Sequence, residues 1–263
     1  MCRWLTYCGD PIYLDKVLFE PRNSLISQSL RARHSHVTTN GDGFGIGWYG
    51  ERPTPGVYRD ILPAWNDQNL KSLAHQIRSG LFLAHVRAST GTATSRANCH
   101  PFAHGKWLFM HNGQIGGFDR IRRALENSLP DELYHERHGT TDSELFFLIL
   151  LDEGLEHDAQ GATQRAAARV LAAAARAGVE PSLKLTAAFA DGKVLHAVRF
   201  ATDAEAPTLY MAETAKGRCL VSEPFDREGG AWNAVPPSSF VTITAASASI
   251  APFHPKSAKL RAA

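Results

Sequence analysis

Between Asn40 and Gly50 the chain reads Asn-Gly-Asp-Gly-Phe-Gly-Ile-Gly-Trp-Tyr-Gly, with glycine at every second position from Gly41 to Gly47. Side chains of a strand alternate between its two faces. A strand here carries Phe44, Ile46 and Trp48 on one face and a bare surface on the other, which another backbone or a ligand can approach closely. A phosphate-binding loop is the rival reading, but no Lys-Ser or Lys-Thr pair follows the glycines.

Strand signals lie on both sides of this stretch. Residues 2 to 8 are strand-like, and Gly9-Asp10-Pro11 is expected to end them. From Ile12 to His36 the pattern is mixed and predicts an extended loop with some helix. Leu70 to Ile77 suits a short amphipathic helix, Leu81 to Val86 a buried strand, and Lys106 to Met110 another strand ending at His111-Asn112-Gly113. Phe118 to Leu125 has helical spacing. Thr141 with Glu144 three residues later is a capping-box pattern that puts Asp142 in the first turn of a helix. Thr163 to Ala177 is Ala-rich and helical, with Gly178 as a stop.

Leu183 to Ala190 and Lys193 to Phe200 flank Asp191-Gly192, a two-residue hairpin signal. Further strands are expected at Thr208 to Ala212, Arg218 to Ser222 and Phe240 to Thr244. Strands at both ends with helices between predict an α+β chain of stacked sheets with helices outside. Residues 2–253 read as one domain, since no Pro/Ser-rich linker or internal repeat divides them, and 254–263 as a disordered tail.

Composition excludes several classes. With Lys+Arg 28 against Asp+Glu 26 and no basic run, the chain has no electrostatic footprint for nucleic acid. Its longest apolar run, Leu145 to Leu151, has seven residues, against about 20 for a membrane helix. That run reads as a core helix. Cys2, Cys8, Cys99 and Cys219 show no CxxC spacing, and no secretory signal opens the chain, so a reducing cytoplasm is expected. The cysteine and histidine spacings, from His34 and His36 through Cys99, His100, His104 and His111, match no structural zinc pattern, and neither metal nor cofactor is expected.

Candidate chemistry begins at Met1-Cys2. Removal of Met1 would leave Cys2 with a thiol and a free α-amine, a nucleophile and a base on one residue, because an amine of reference pKa about 7.7–8.0 can take the thiol proton. The alternative is a small hydrophobe near a terminus. Arg87, at the end of a buried strand, offers planar recognition of a carboxylate or simply a surface ion pair. Asp142 is a functional anion or only a helix-start residue. Asn112 and Gly113 can aim two donors at one small volume, the geometry of an oxyanion hole, or merely form a turn.

Taken in order, Met1-Cys2, Gly41-Asp42-Gly43-Phe44-Gly45-Ile46-Gly47-Trp48, Ala84-His85-Val86-Arg87-Ala88-Ser89-Thr90, Asn98-Cys99-His100-Pro101-Phe102, His111-Asn112-Gly113 and Thr141-Asp142-Ser143-Glu144 resemble the class II glutamine amidotransferases of the N-terminal nucleophile hydrolase superfamily. Cys2-Arg3-Trp4-Leu5 and Ser24-Leu25-Ile26-Ser27-Gln28-Ser29 look like the stand-alone branch that includes γ-glutamyl hydrolases of ergothioneine synthesis and an amidotransferase-like component of glutathione degradation. Two departures from the biosynthetic members stand out: Arg3 follows Cys2 in place of Gly, and no synthase domain follows.

The resemblance implies a four-layer αββα sandwich and a cleaved γ-glutamyl amide. It makes Cys2 the nucleophile with its own amine as base, and Asn112 and Gly113 the oxyanion hole. Arg87, assisted by Thr90 and His100, would hold the glutamyl α-carboxylate, and Asp142 the α-amine. It leaves open two other outputs: a glutaminase subunit delivering ammonia to a separate synthase partner, and a non-catalytic glutamate-sensing module.

Overall fold

In the computed structural model, which describes residues 2–31, 39–89, 91–203, 205–225 and 232–255, backbone covers the bare face of the glycine stretch. A Cβ on Gly45 would lie 2.2 Å from the carbonyl oxygen of His100, and one on Gly47 would lie 2.9 Å from the ring of Pro101. Of the two occupants the sequence allows, it is a neighbouring segment of chain that uses this surface.

The first elements are β1 (Arg3–Tyr13), α1 (Asp15–Leu18), α2 (Leu25–Leu30), β2 (Phe44–Trp48), β3 (Gly56–Asp60), α3 (Gln68–Gln76) and β4 (Arg78–Val86). Then follow β5 (Phe102–His104), β6 (Trp107–Ile115), α4 (Phe118–Glu126), α5 (Asp131–His135), α6 (Asp142–Asp152) and α7 (Ala159–Arg176). The last third consists of β7 (Leu183–Ala190), β8 (Leu195–Ala201), β9 (Tyr210–Thr214), β10 (Gly217–Val221), β11 (Asn233–Ala234), β12 (Ser239–Ile243) and β13 (Ala248–Pro252). Among the described residues these strands form two antiparallel sheets, ordered β11-β9-β10-β1-β4-β2-β3 and β13-β12-β8-β7-β6-β5.

Strand alternation assigns the layers. Leu5 and Tyr7 of β1, Phe44 and Ile46 of β2 and Phe82 of β4 pack with Val17, Leu25, Leu70 and Ala74 of α1 to α3. The opposite face of the same sheet, with Trp4, Cys8, Leu81 and Leu83, meets Leu108, Met110, Ala188, Ala197 and Val241 of the second sheet. Behind that sheet, Phe109, Leu185 and Phe189 pack with α4, α6 and α7. The architecture is a four-layer αββα sandwich. Leu145 to Leu150 are all buried because α6 lies inside the outer layer, touching β6, α4 and α7. No described helix is long and apolar enough to cross a membrane.

Two strands outrun their sequence signals. β1 continues past Gly9-Asp10-Pro11 to Tyr13: its register on β4 shifts between Cys8 and Ile12, so the turn residues form an irregularity inside the strand rather than its end. β6 likewise continues through His111-Asn112-Gly113 to Ile115, because β7 pairs with it along its whole length, Asn112 facing Thr186 and Gly113 facing Leu185. The expected mixed loop resolves into the end of β1 and the short helices α1 and α2. Its residues 32–36, with His34 and His36, lie outside the described residues, as do 256–263 of the expected tail.

Several buried or half-buried histidines sit within these layers. Burial first, and the nearby Arg87 second, push His85 down to about 3; burial takes His196 to about 4 and His100 well below the ordinary value. Each is neutral in the folded chain but protonates near pH 6.5 once unfolded. The unfolded state therefore binds more protons below pH 6.5. Stability is fully present above that pH and falls as pH drops toward the folded values, by about 1.4 kcal/mol per unit for each such histidine. The urea midpoint is expected to fall between pH 6.5 and 5, above the carboxylate range, and His85→Phe should flatten that slope. A midpoint constant over this window would contradict neutral burial.

Candidate active site

The site forms where the start of β1 meets the end of β6 across the two sheets. In β6, Leu108 and Met110 face the inter-sheet core, so alternation turns Asn112 to the same side, while Phe109 and His111 face α6. Asn112 reaches the other sheet, and its Nδ2 donates to the Cys2 carbonyl at 3.0 Å. An amide nitrogen carries two hydrogens. One is engaged by Cys2, and the second is available to a further acceptor.

Gly113, exposed at the end of β6, must be glycine. A Cβ there would fall 1.8 Å from the Lys184 carbonyl oxygen and 2.4 Å from His111 Nε2. His111 is held from both ends, by Ser143 Oγ at Nδ1 (2.9 Å) and the Lys184 carbonyl at Nε2 (3.0 Å).

Cys2 is half-buried, and both hydrogen-bond partners of its sulfur among the described residues are backbone atoms of Ala88. Ala88 N–H donates to Sγ at 3.4 Å, and the thiol donates to Ala88 O at 3.5 Å. Burial pushes the thiol above its ordinary value, while the Ala88 N–H and the charge of Arg87 pull the other way. A thiol raised in this way needs a base to react near neutral pH. No side chain among the described residues hydrogen-bonds to it.

Arg87 follows β4 directly, and its backbone extends the pairing with the glycine stretch: Arg87 N–H donates to Gly43 O (2.8 Å), and Asp42 N–H to Arg87 O (3.1 Å). Its side chain is 4% exposed. The guanidinium donates to Thr92 Oγ1 (2.6 Å), Ser89 Oγ (3.2 Å), Ala93 O (3.3 Å) and Asp42 O (3.3 Å). All four acceptors are neutral, and Arg87 takes part in no ion pair among the described residues. A buried charge without a counter-ion is costly. The surface ion pair that an arbitrary Arg would make is not what stands here.

Asp142 is the first residue of α6, behind an N-cap in which Thr141 Oγ1 accepts from Glu144 N–H (3.1 Å). Half of the expected capping box forms. The Glu144 carboxylate turns instead to the N–H groups of His138 (3.0 Å) and Gly139 (2.7 Å). Asp142 accepts from Ile115 N–H at 2.9 Å and Ser143 Oγ at 3.2 Å, and it too makes no ion pair among the described residues. Helix-terminal N–H groups favour its negative charge.

The remaining sequence candidates separate. Thr90 lies outside the described residues. His100 is buried, its ring 4.3 Å from that of His85 and 4.6 Å from that of Phe102, with neither ring nitrogen hydrogen-bonded among the described residues. It forms part of the floor between the sheets and makes no hydrogen bond to Arg87. Among the described residues no group of three His, Cys, Asp or Glu side chains is placed to hold a metal ion.

Sequence reasoning missed three contributors. Ala88 holds the sulfur through backbone atoms, which no side chain could signal. Asn98 bridges Ala93 O and Thr140, and so links the cradle of Arg87 to the start of α6. Arg3 adds a second donor to the Cys2 carbonyl, at 3.2 Å; the only signal for it was a charged residue inside a strand-like stretch.

Comparison with known proteins places the chain in a family. A family profile described as glutamine amidotransferases class-II matches residues 20–209. A probable glutamine amidotransferase of Saccharomyces cerevisiae, DUG3, is 36% identical over 92% of this chain and 82% of its own length. The gamma-glutamyl-hercynylcysteine sulfoxide hydrolase of Mycolicibacterium smegmatis is 30% identical over 96% of this chain and 100% of its own. The solved class-II domain protein of Silicibacter pomeroyi, titled a glutamine aminotransferase, superposes with a TM-score of 0.79 at 40% identity, covering 97% of this chain and all of that one. The chain belongs to the class II glutamine amidotransferases.

Proposed function

We propose that this class II glutamine amidotransferase hydrolyses a γ-glutamyl amide through a thioester on Cys2, releasing glutamate and ammonia or an amine. The observation that carries this reading is the 3.0 Å hydrogen bond from Asn112 Nδ2 to the Cys2 carbonyl, which joins nucleophile and oxyanion donor across two sheets. Met1 is removed, and the α-amine of Cys2 takes the thiol proton, directly or through a water. The thiolate attacks the γ-carbonyl. The second N–H of Asn112 and the N–H of Gly113 receive the developing oxyanion, each worth about 2.7–4 kcal/mol of barrier.

Collapse of the tetrahedral species breaks the C–N bond, and the leaving nitrogen takes the proton held on the Cys2 amine. Water then attacks the thioester and frees glutamate. A glutamyl head is a zwitterion, so its site needs a cation and an anion set apart. Arg87 holds the α-carboxylate, and Asp142 holds the α-ammonium. The absence of any ion pair at Arg87 or Asp142 among the described residues supports these roles. The full-length match to a γ-glutamyl sulfoxide hydrolase favours a γ-glutamyl conjugate over ammonia delivery to a synthase partner.

The purified protein is expected to have a mass short by one methionine and to release glutamate from at least one member of a panel of glutamine, glutathione and larger γ-glutamyl amides. Cys2→Ala should remove that activity and leave the circular dichroism spectrum unchanged. Retention of Met1 in an active protein would exclude the free amine as base.

Arg87→Met and Asp142→Asn are expected to raise KM about 10²-fold, since an unpartnered charge of a buried pair costs roughly 3 kcal/mol. Arg87→Met should also keep or raise Tm, because it removes an uncompensated buried charge. Wild-type KM in either variant would sink the assignment of that residue.

A further inference from the structure

The nucleophilic residue stands outside the β-ladder. The register of β1 on β4 begins at Arg3, opposite Val86. The Cys2 backbone is instead tied by side chains, its carbonyl accepting from Asn112 Nδ2 at 3.0 Å and from Arg3 Nη1 at 3.2 Å.

Arg3 is itself immobilised. It is 1% exposed, and its Nε donates to Glu223 Oε2 at 2.9 Å. Glu223, just beyond β10 and 1% exposed, also accepts from Asn23 Nδ2 at Oε1 (3.3 Å) and from Gln28 Nε2 at its carbonyl (3.2 Å). Gln28 Nε2 also donates to Asn23 O at 2.8 Å. The stretch Ser24 to Ser29, one of the family-like motifs that the catalytic assignments leave unused, thus contributes the bracing of Glu223.

We propose that Arg3 is a positioning residue for the nucleophile, and that the Arg3–Glu223 pair braced by Asn23 and Gln28 is the device that fixes the Cys2 carbonyl. This rests on the reading of Cys2 as nucleophile. Its consequence is a division of labour: Arg3 shares the carbonyl, so Asn112 keeps its second N–H aimed at the oxyanion. A buried ion pair is a weak source of stability, since desolvation offsets most of the attraction. Here Arg3 Nη2 is additionally buried without a hydrogen-bond partner among the described residues. What the pair supplies at this place is geometry.

The test measures kcat, KM and Tm of the wild type, Arg3→Lys and the double variant Arg3→Met/Glu223→Gln, on whichever γ-glutamyl amide the wild type cleaves best. The double variant removes both charges of this pair together. Its kcat is expected to fall about 10²-fold, as for a displaced reacting group, with KM within about twofold of wild type and Tm not lowered in proportion. Arg3→Lys keeps a cation opposite Glu223 but loses the planar fork, and its kcat should fall about tenfold.

A folded double variant with wild-type kcat overturns the proposal, and so does a rise in KM at unchanged kcat, which would make Arg3 a substrate ligand. Should the double variant not fold, a wild-type kcat in Arg3→Lys overturns it. A wild-type protein that releases no glutamate from any amide fails in a different arm: it removes the reading of Cys2 and this inference with it.

Discussion

Backbone can lie directly on the face of a strand only where that face carries no side chains. In this chain Gly45 and Gly47 leave the inner face of β2 bare, and the segment through His100 and Pro101 lies directly on it. The segment continues back into Asn98, whose Nδ2 donates to Ala93 O (2.8 Å) and Thr140 Oγ1 (3.1 Å) and whose Oδ1 accepts from Thr140 N–H (2.8 Å). Ala93 O is also an acceptor for Arg87. From the glycines, contacts therefore run one way to the cradle of Arg87 and the other way to the start of α6. The Asn98 side chain thus ties the loop that cradles Arg87 to the start of α6.

That frame holds two charged side chains, Arg87 and Asp142, that make no ion pair among the described residues. Some buried or half-buried cations are paired, Arg3 with Glu223, Arg137 with Glu126 and Arg169 with Asp152 and Glu153, whereas Arg199, like Arg87, donates to neutral oxygens. Arg87 and Asp142 have hydrogen bonds but no opposite charge. Hydrogen bonding fixes their orientation, and the α6 terminus favours the carboxylate, yet neither effect neutralises the guanidinium. In the proposed reading the charges of a bound glutamyl head complete the pairing, an exchange of stability for function.

Much of this was legible in the sequence because local chemistry dictated it. The alternating glycines announced a bare strand face, Asp191-Gly192 a hairpin, although its loop runs from Asp191 to Val194 rather than two residues, and Thr141 the start of α6 with Asp142 in its first turn. The order Cys2, Arg87, Asn112-Gly113, Asp142 carried the resemblance to the family. What was not legible depended on partners distant in sequence. Gly9-Asp10-Pro11 and Asn112-Gly113 read as stops, but β4 and β7 continue beside them and keep the strands extended. The edge strands β3, β5, β11 and β13 are short and half-exposed, so burial left little periodicity in them. Arg3 looked like a departure from a pattern until Glu223, 220 residues away, stood beside it.

The same long-range logic bears on the choice of base. Burial raises the Cys2 thiol, and both of its hydrogen-bond partners among the described residues are backbone atoms that cannot accept and retain a proton. His85 and His100 lie in the floor below and are kept neutral by burial, but no hydrogen bond joins either to the sulfur. The proposed base is then the amine of Cys2 itself, two carbon atoms from the sulfur and of suitable basicity. An amine on a terminal residue is useful only if that residue does not swing. Because the ladder begins one residue later, rigidity at Cys2 has to come from donors to its carbonyl, and Asn112 and Arg3 are those donors. The side chain proposed to receive the oxyanion is thus also one of the two that hold the nucleophile in place, so attack and stabilisation share a single geometric reference.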